Sequence, residues 1–247
     1  MNTAFHPHRG FLDAYDVQIL NHADHLEPIL RDRGILDRVS TVFSIGIGAG
    51  HLECQLAREL GGSLAYVERS PPMIEAIRQN IAGYGISRQI SAEYTCEFEA
   101  IPTDAIYDLI LSLDSWYLIG RNRESLQKAL ALRATGGRLL IQLMTSHKQL
   151  YWELDQVRGL MASQELSHWA ASEGFDHEYF ECTHSVPQIL LLQGDQPTAG
   201  YRHFVAFAKG RPWEELSSAE MEAAVQAVFD LERDGHLETR YGFLLFN

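Results

Sequence analysis

The hydrophobic positions change period repeatedly along the chain, and the changes mark its elements. Val42, Phe43, Ile45 and Ile47 form a short apolar run of the kind found in a buried parallel strand. Gly46, Gly48 and Gly50 interrupt it, and Leu52, Leu56 and Leu60 then fall on one helical face. Leu64-Ala-Tyr-Val67 reads as a second strand ending in Glu68. Ser70-Pro71-Pro72 opens the next helix, with Ser70 as a cap and proline suited to the first positions; Ile74, Ile77 and Ile81 form its buried stripe, and Gly83/Gly85 end it. Gln89–Tyr94 is a third strand, Tyr107–Leu113 a fourth and Asn122–Arg133 a crossover helix; a Gly136-Gly137 turn then leads into Arg138–Met144, a fifth strand. Strands alternating with helices at this cadence predict a parallel sheet covered on both faces.

The flanks carry different patterns. Phe11, Tyr15 and Ile19, continued by His22, Leu26 and Ile29/Leu30, predict an N-terminal helical region. Beyond residue 145, Leu150, Leu154, Val157 and Met161 predict one helix and Ser163–Gly174 another. Phe175–Val186 alternates as a strand, 187–200 is an insertion rich in Gln, Leu, Gly and Pro, and 201–208 is short and aromatic. Ser217-Ser-Ala-Glu220 is a capping box opening a helix, and Tyr241–Phe246 alternates as a final strand.

Strand, glycine turn and helix together form a cradle for a nucleotide cofactor, because glycine permits the tight turn and lets a ligand approach the backbone beside a helix N-terminus. A dinucleotide-binding turn, G-x-G-x-x-G, would place its third glycine at His51; here the glycines fall as G-x-G-x-G. That spacing resembles the first motif of class I S-adenosylmethionine methyltransferases and implies that cofactor rather than a nicotinamide. Glu68 lies about 20 residues past the turn, where an open sheet of this type sets a carboxylate on ribose hydroxyls. Thr95-Cys96-Glu97 follows the third strand, where the adenine would be held. Asp114 ends the fourth strand: its acid either accepts a hydrogen bond from an amine or hydroxyl nucleophile or caps the following turn. Trp116 and Tyr117 either wall a pocket, where aromatic faces suit cations, or pack beneath the next helix.

The 247 residues are 46% apolar and 21% charged, ordinary for a globular chain with a sizeable core. A formal net charge of −13 with no Lys/Arg cluster argues against nucleic acid and weakly favours cationic substrates. Cys54, Cys96 and Cys182 suit neither a disulfide framework nor a C-x-x-C metal site. His6/His8 and His22/His25 are pairs without an identifiable third ligand, so no metal is expected. Neither a nucleophile elbow nor a P-loop is present. The start of the chain has no apolar signal region and no run approaches ~20 apolar residues, so a cytoplasmic location away from membranes is expected.

The likeness extends to one family. The chain resembles histamine N-methyltransferase in Leu20-Asn21-His22, in the Ser44–Gly50 turn, in Glu68, in Asp114 with its aromatic neighbours, in Tyr151-Trp152 and in the late Leu245-Phe246-Asn247. By that resemblance Gly46, Gly48, Glu68, Thr95, Cys96 and Leu113 contact the cofactor, and Ser44, Ile47, Gly50, Arg69, Met73 and Glu97 complete its surroundings. His25, Asp114, Tyr117 and Asn247 face the substrate, joined by Tyr15, His22, Trp116 and Trp152, with Asp114 as the catalytic candidate. The family's N-terminal Glu is replaced at His25, and its Gln after the fourth strand at Asp114, which points to a related but different substrate.

The expected fold is therefore α/β: a doubly wound, mostly parallel seven-stranded Rossmann-like methyltransferase sheet. Residues 1–40 form a helical lid, 41–186 the cofactor-binding core, and 187–247 a substrate-side insertion with the final strand packed on the core. The expected activity is methyl transfer from S-adenosylmethionine to a nitrogen of a small amine, imidazole or amino-acid-like metabolite. O-methylation of a carboxylate or hydroxyl on a small molecule or peptide natural product is the enzymatic rival, and a non-catalytic S-adenosylmethionine-binding protein is the other. The oligomeric state is left open.

Overall fold

The computed structural model describes residues 23–147, 150, 154 and 161–247. Five parallel strands form the body of one sheet: β1 (Thr41–Ile45), β2 (Ser63–Val67), β3 (Ile90–Tyr94), β4 (Tyr107–Leu113) and β5 (Arg133–Met144). With β6 (Glu178–Pro187) and β9 (His236–Phe246), the spatial order is β3-β2-β1-β4-β5-β9-β6, and β9 runs antiparallel to β5. Order reverses between β1 and β4, which creates the crevice at the strands' carboxyl ends where such sheets bind ligands.

Double-sided burial explains the near-continuous apolar strands. Val42, Leu64, Leu109 and Leu140 point to one face, against Leu26 and Leu30 of α1 (Ala23–Asp32), Leu52 and Leu56 of α2 (His51–Leu60), and Ile77 and Ile81 of α3 (Pro71–Tyr84). Their neighbours Phe43, Ile45, Ala65, Ile110 and Ile141 point to the other, against Leu126 and Ala129 of α4 (Arg123–Ala131) and Leu166 and Ala170 of α5 (Ser163–Ser172). Each fully buried Leu or Ile contributes about 1.5–3 kcal/mol.

At the amino end of the sheet, Asp108 Oδ2 accepts hydrogen bonds from Ser40 N (2.9 Å), Ser40 Oγ (2.7 Å), Thr41 N (2.9 Å) and Thr41 Oγ1 (3.0 Å). This clasp aligns β1 with β4. Burial pushes the Asp108 carboxyl up, but the Ser40 and Thr41 bonds outweigh it and hold it below the usual carboxylate range. Its contribution is therefore present above the ordinary aspartate range and is lost as pH falls through the depressed value.

The chain groups into two compact units. One holds Ala23–Ser146, Met161–Cys182 and Tyr241–Asn247, and with them the glycine turn and all the parallel strands. The other holds, among the described residues, His147, Leu150, Leu154 and Thr183–Arg240. The second unit contains a small hairpin of β7 (Leu192–Gln193) and β8 (Gln196–Pro197), then α6 (Ala199–Lys209) and α7 (Ser218–Leu231). Tyr201, Phe204, Val205 and Ala208 are buried at helical spacing, so the short aromatic segment is a helix. Tyr201 Oη donates to Ala224 O (2.7 Å) and ties α6 to α7, and Ser217 and Glu220 form the capping box as expected.

Three local expectations are corrected. Gly136-Gly137 is not a turn before the fifth strand: β5 starts at Arg133 and shifts register, Tyr107 pairing with Arg133 but Leu109 with Arg138. A Cβ at Gly137 would meet Tyr107 O at 2.7 Å, so only glycine lets the shifted strand stay this close. Ser70 makes no capping hydrogen bond; its Oγ is buried without a partner. The strands of the second half also differ in length, β6 starting at Glu178 and β9 at His236. Among the described residues no helix is long and apolar enough to cross a membrane, and no cluster of three or more His, Cys, Asp or Glu could hold a metal ion.

Candidate active site

β1 delivers the chain into the turn Gly46–Gly50 at the carboxyl end of the sheet. Gly46, Gly48 and Gly50 have φ of 66°, 57° and 66°, the left-handed region that side chains rarely adopt. They are not equivalent. A Cβ at Gly50 would lie 2.3 Å from Ile77 Cδ1 and 2.9 Å from Ile47 Cγ1, so this glycine lets the turn settle on α3. A Cβ at Gly46 would lie 2.7 Å from Ser115 Cβ. A Cβ at Gly48 would meet nothing within 4 Å: this position faces open space. Asn80 Nδ2 donates to Ala49 O (2.8 Å), and the Gly46 N–H donates to Val67 O (2.9 Å), so both flanks of the turn are pinned.

Glu68, at the end of β2, is buried and organises the opposite wall. Its Oε2 accepts from Gly48 N (3.0 Å), and its Oε1 accepts from Arg69 N (2.9 Å) and Ser70 N (2.8 Å). A carboxylate offers about four lone-pair sites, so one on Oε2 is left for a hydroxyl donor. Arg69 pairs with Glu97 (2.6 Å) across the ends of β2 and β3.

Beneath the turn lies an unexpected acid. Glu53, in the first turn of α2, is 4% exposed, and Ser44 Oγ donates to its Oε1 (2.8 Å). Burial pushes its carboxyl up to about 7, against the opposing Ser44 bond. A carboxyl raised in the folded state contributes stability that is whole below the unfolded value and is lost as pH rises through the folded one. Stability should therefore decline by about 3 kcal/mol between pH 4.5 and 7 on this account, at 1.36 kcal/mol per pH unit. Glu53→Gln should flatten that decline, which urea unfolding at pH 5 and pH 8 measures; equal slopes in both proteins would refute it.

At the end of β4, Asp114 adopts φ 48°, one of three non-glycine residues in the left-handed region among the described residues. Its N–H donates to Gln142 O (3.0 Å), and Gln142 Nε2 donates to its Oδ1 (3.2 Å). Ser115 follows, buried, donating from Oγ to Ile45 O (2.6 Å) and pairing with Ser112 Oγ (2.7 Å). The Asp114 loop and the glycine turn are thus fastened to each other at the mouth of β1 and β4.

Residues 36–188, which carry all of these groups, match the methyltransferase-domain family. The chain belongs to that family. It is an S-adenosylmethionine-dependent methyltransferase. No curated protein matches it by sequence. Among solved structures it is similar to a Galdieria sulphuraria protein assigned as a candidate sarcosine dimethylglycine methyltransferase, with a TM-score of 0.57 at 20% identity over 92% of this chain and 84% of that one. A Thiobacillus denitrificans S-adenosylmethionine-dependent methyltransferase, solved with S-adenosyl-L-homocysteine, gives 0.54 at 13% over 87% and 89%. The [4+2]-cyclase SpnF gives 0.58 at 15% over 90% and 79%. At such identities the likeness shows the fold, and a cyclase among the neighbours illustrates that this fold alone does not set the reaction.

The residues of this methyltransferase fit its cofactor on their own geometry. Gly48 opens the backbone to a ligand, and Glu68 keeps an acceptor beside it. Gly48→Ala should cost only about 1–2 kcal/mol of left-handed strain and yet weaken S-adenosylhomocysteine binding ten-fold or more. Gly50→Ala should instead lower the unfolding free energy by a further ~1–3 kcal/mol through overpacking against Ile77. Urea unfolding and calorimetric titration separate the two, and equal losses of stability would contradict the assignment.

Other expected site residues are placed as follows. Thr95 and Glu97 are exposed, Cys96 and Leu113 half-buried, all at the carboxyl ends of β3 and β4. Ser44, Ile47 and Met73 are buried: Ser44 serves Glu53, and Ile47 joins the hydrophobic core, so neither side chain faces the crevice. Trp116 is fully buried against Phe98, its Nε1 donating to Gly120 O (3.2 Å), and walls no pocket; half-buried Tyr117 is the exposed one of the pair. Asn247 is also corrected. β9 runs antiparallel with Phe246 opposite Leu139 and Tyr241 opposite Met144, so the chain ends about five residues, ~17 Å, from the crevice end of β5. Tyr15, His22 and Trp152 lie outside the described residues, as does the side chain of His25, whose backbone is in α1.

Sequence reasoning passed over Gln142, Ser115 and Glu53. Gln142 carries a faint signal, a polar residue in an otherwise apolar strand; Ser115, in the turn after β4, and Glu53, beside the apolar stripe of its helix, carry none in the local pattern.

Proposed function

We propose that this methyltransferase methylates a nitrogen of a small amine, imidazole or amino-acid-like metabolite, with Asp114 as the residue that engages the acceptor. The carrying observation is the Asp114 carboxylate itself, half-exposed at the crevice and clasped through backbone and side chain by Gln142. A carboxylate only accepts hydrogen bonds, so it favours an acceptor bearing N–H groups or positive charge and repels a carboxylate acceptor. The sequence resemblance to histamine N-methyltransferase supports the same class, and a structural neighbour assigned to sarcosine and dimethylglycine is in keeping with it.

S-adenosylmethionine supplies the electrophilic methyl group. Glu68 and the backbone at Gly48 would hold the adenosyl end, with Arg69, Thr95, Cys96, Glu97 and Leu113 around it. Asp114 orients the nitrogen lone pair and takes up the proton that the nitrogen sheds, while half-buried Tyr117 shields the pair from water.

The test is methyl transfer from labelled S-adenosylmethionine to two panels. One contains sarcosine, dimethylglycine, histamine and primary amines; the other contains phenols, alcohols and carboxylic acids. Transfer confined to the first panel supports the reading. Transfer confined to the second would replace it with O-methylation, and tight cofactor binding without transfer to either would indicate a non-catalytic protein.

A further inference from the structure

Gln142 is the one amide in the apolar run Leu139–Met144, and it is entirely buried. Its backbone pairs with Leu113 of β4 on one side and Phe243 of β9 on the other. By strand alternation its side chain leaves the sheet on the same face as Leu140, whose surroundings are aliphatic and aromatic. A leucine or methionine would suit that position. The amide instead spends one donor on Asp114 Oδ1 and leaves its own Oε1 buried without a partner. An unsatisfied buried acceptor is destabilising. The reverse amide orientation would set Oε1 against a carboxylate oxygen, so the cost is inherent in facing Asp114.

Asp114 is held away from relaxed geometry at the same time. Arg38 and Asp234, the other non-glycine residues at positive φ among the described residues, sit in surface turns, whereas Asp114 directly follows the central strand of the sheet. Two local penalties therefore coincide on one pair of residues, and the bonds joining them run from both backbone and side chain of Gln142. Sites that store strain in this way are those where a particular geometry is required.

We infer that Gln142 is a positioning residue: its amide fixes the direction of the Asp114 carboxylate and the left-handed backbone that presents it, at the expense of stability. This rests on the reading of Asp114 as the acceptor-binding residue. Gln142 itself touches no substrate.

The test uses Gln142→Met, which keeps volume and removes both the donor and the orphan acceptor. Four quantities are compared with the wild type: the crystal structure, the melting temperature, S-adenosylhomocysteine affinity by calorimetry, and methyl transfer to the amine panel. The inference expects Asp114 Oδ1 to move by more than about 0.5 Å or residue 114 to leave the left-handed region. Melting temperature should be unchanged or higher, and affinity within about three-fold, less than the ten-fold that 1.4 kcal/mol makes. Transfer should fall about ten-fold or more, as expected for a misplaced acceptor-binding group.

In the Asp114→Asn background the added Gln142→Met change should have little further effect, since two residues acting as one unit are not additive. An unmoved Asp114 overturns the inference, as does a marked loss of melting temperature in both Gln142→Met and Gln142→Leu, which would make the amide a packing element. If Gln142→Met displaces Asp114 while Asp114→Asn transfers normally, the positioning stands and the reading of Asp114 is what fails.

Discussion

Asp114→Asn is expected to lower methyl transfer by about 10²–10⁴-fold, the range of a lost general base, while S-adenosylhomocysteine affinity changes by no more than a few-fold. Asparagine is the informative replacement. It tolerates the left-handed conformation that Asp114 holds at φ 48°, and its Oδ1 still accepts from Gln142 Nε2, so only the charge and the proton-accepting capacity are removed. Asp114→Ala should be equally inactive but less stable, because it adds backbone strain and breaks the bond from Gln142. Kinetics with the amine panel and calorimetry together decide the matter. A collapse of cofactor affinity in Asp114→Asn would make Asp114 a structural or cofactor residue, and near-normal transfer would remove it from the chemistry.

Glu68→Ala should produce the second large effect, on binding rather than turnover. Three backbone N–H groups, of Gly48, Arg69 and Ser70, lose their acceptor at once, so the glycine turn and the entrance to α3 are no longer tied together. Charge-assisted hydrogen bonds of this kind contribute about 1.5–3 kcal/mol each, and the proposed ribose contact would be lost as well. S-adenosylhomocysteine affinity should fall about 100-fold or more, with a fall in melting temperature of roughly ten degrees or more. Glu68→Gln should lie between, because one amide oxygen can still accept but the amide nitrogen opposes a backbone donor. Calorimetric titration measures all three proteins, and affinity in Glu68→Ala within a few-fold of the wild type would exclude Glu68 from the cofactor site.

The contrast between Glu68 and Glu53 shows what a local pattern conveys. Both are acids near the glycine turn, 15 positions apart in the chain. Glu68 ends a strand at a recognisable distance from the turn, and that spacing alone makes it the expected cofactor acid. Glu53 sits in a helix whose apolar stripe is read at Leu52, Leu56 and Leu60, and nothing in that stripe reveals that the acid is swallowed beneath the turn and bonded to Ser44. Trp116 shows the same limit: its aromatic character is plain from the chain, but its burial against Phe98 depends on how the segment after β3 folds back.

Period and punctuation within the chain determine the parallel α/β core, the G-x-G-x-G turn, the acid at its expected distance and the polar end of the fourth strand, because each depends on residues close together in sequence. The tertiary structure decides what depends on strands meeting across long separations. It inserts β9 antiparallel beside β5, which carries Asn247 to the far end of the sheet. It sets Gln142 opposite Leu113, so that an amide in one strand governs a carboxylate at the end of another. The alternation within a strand sets which of its side chains face the core, but which distant strand it lies beside is decided only when the whole sheet packs.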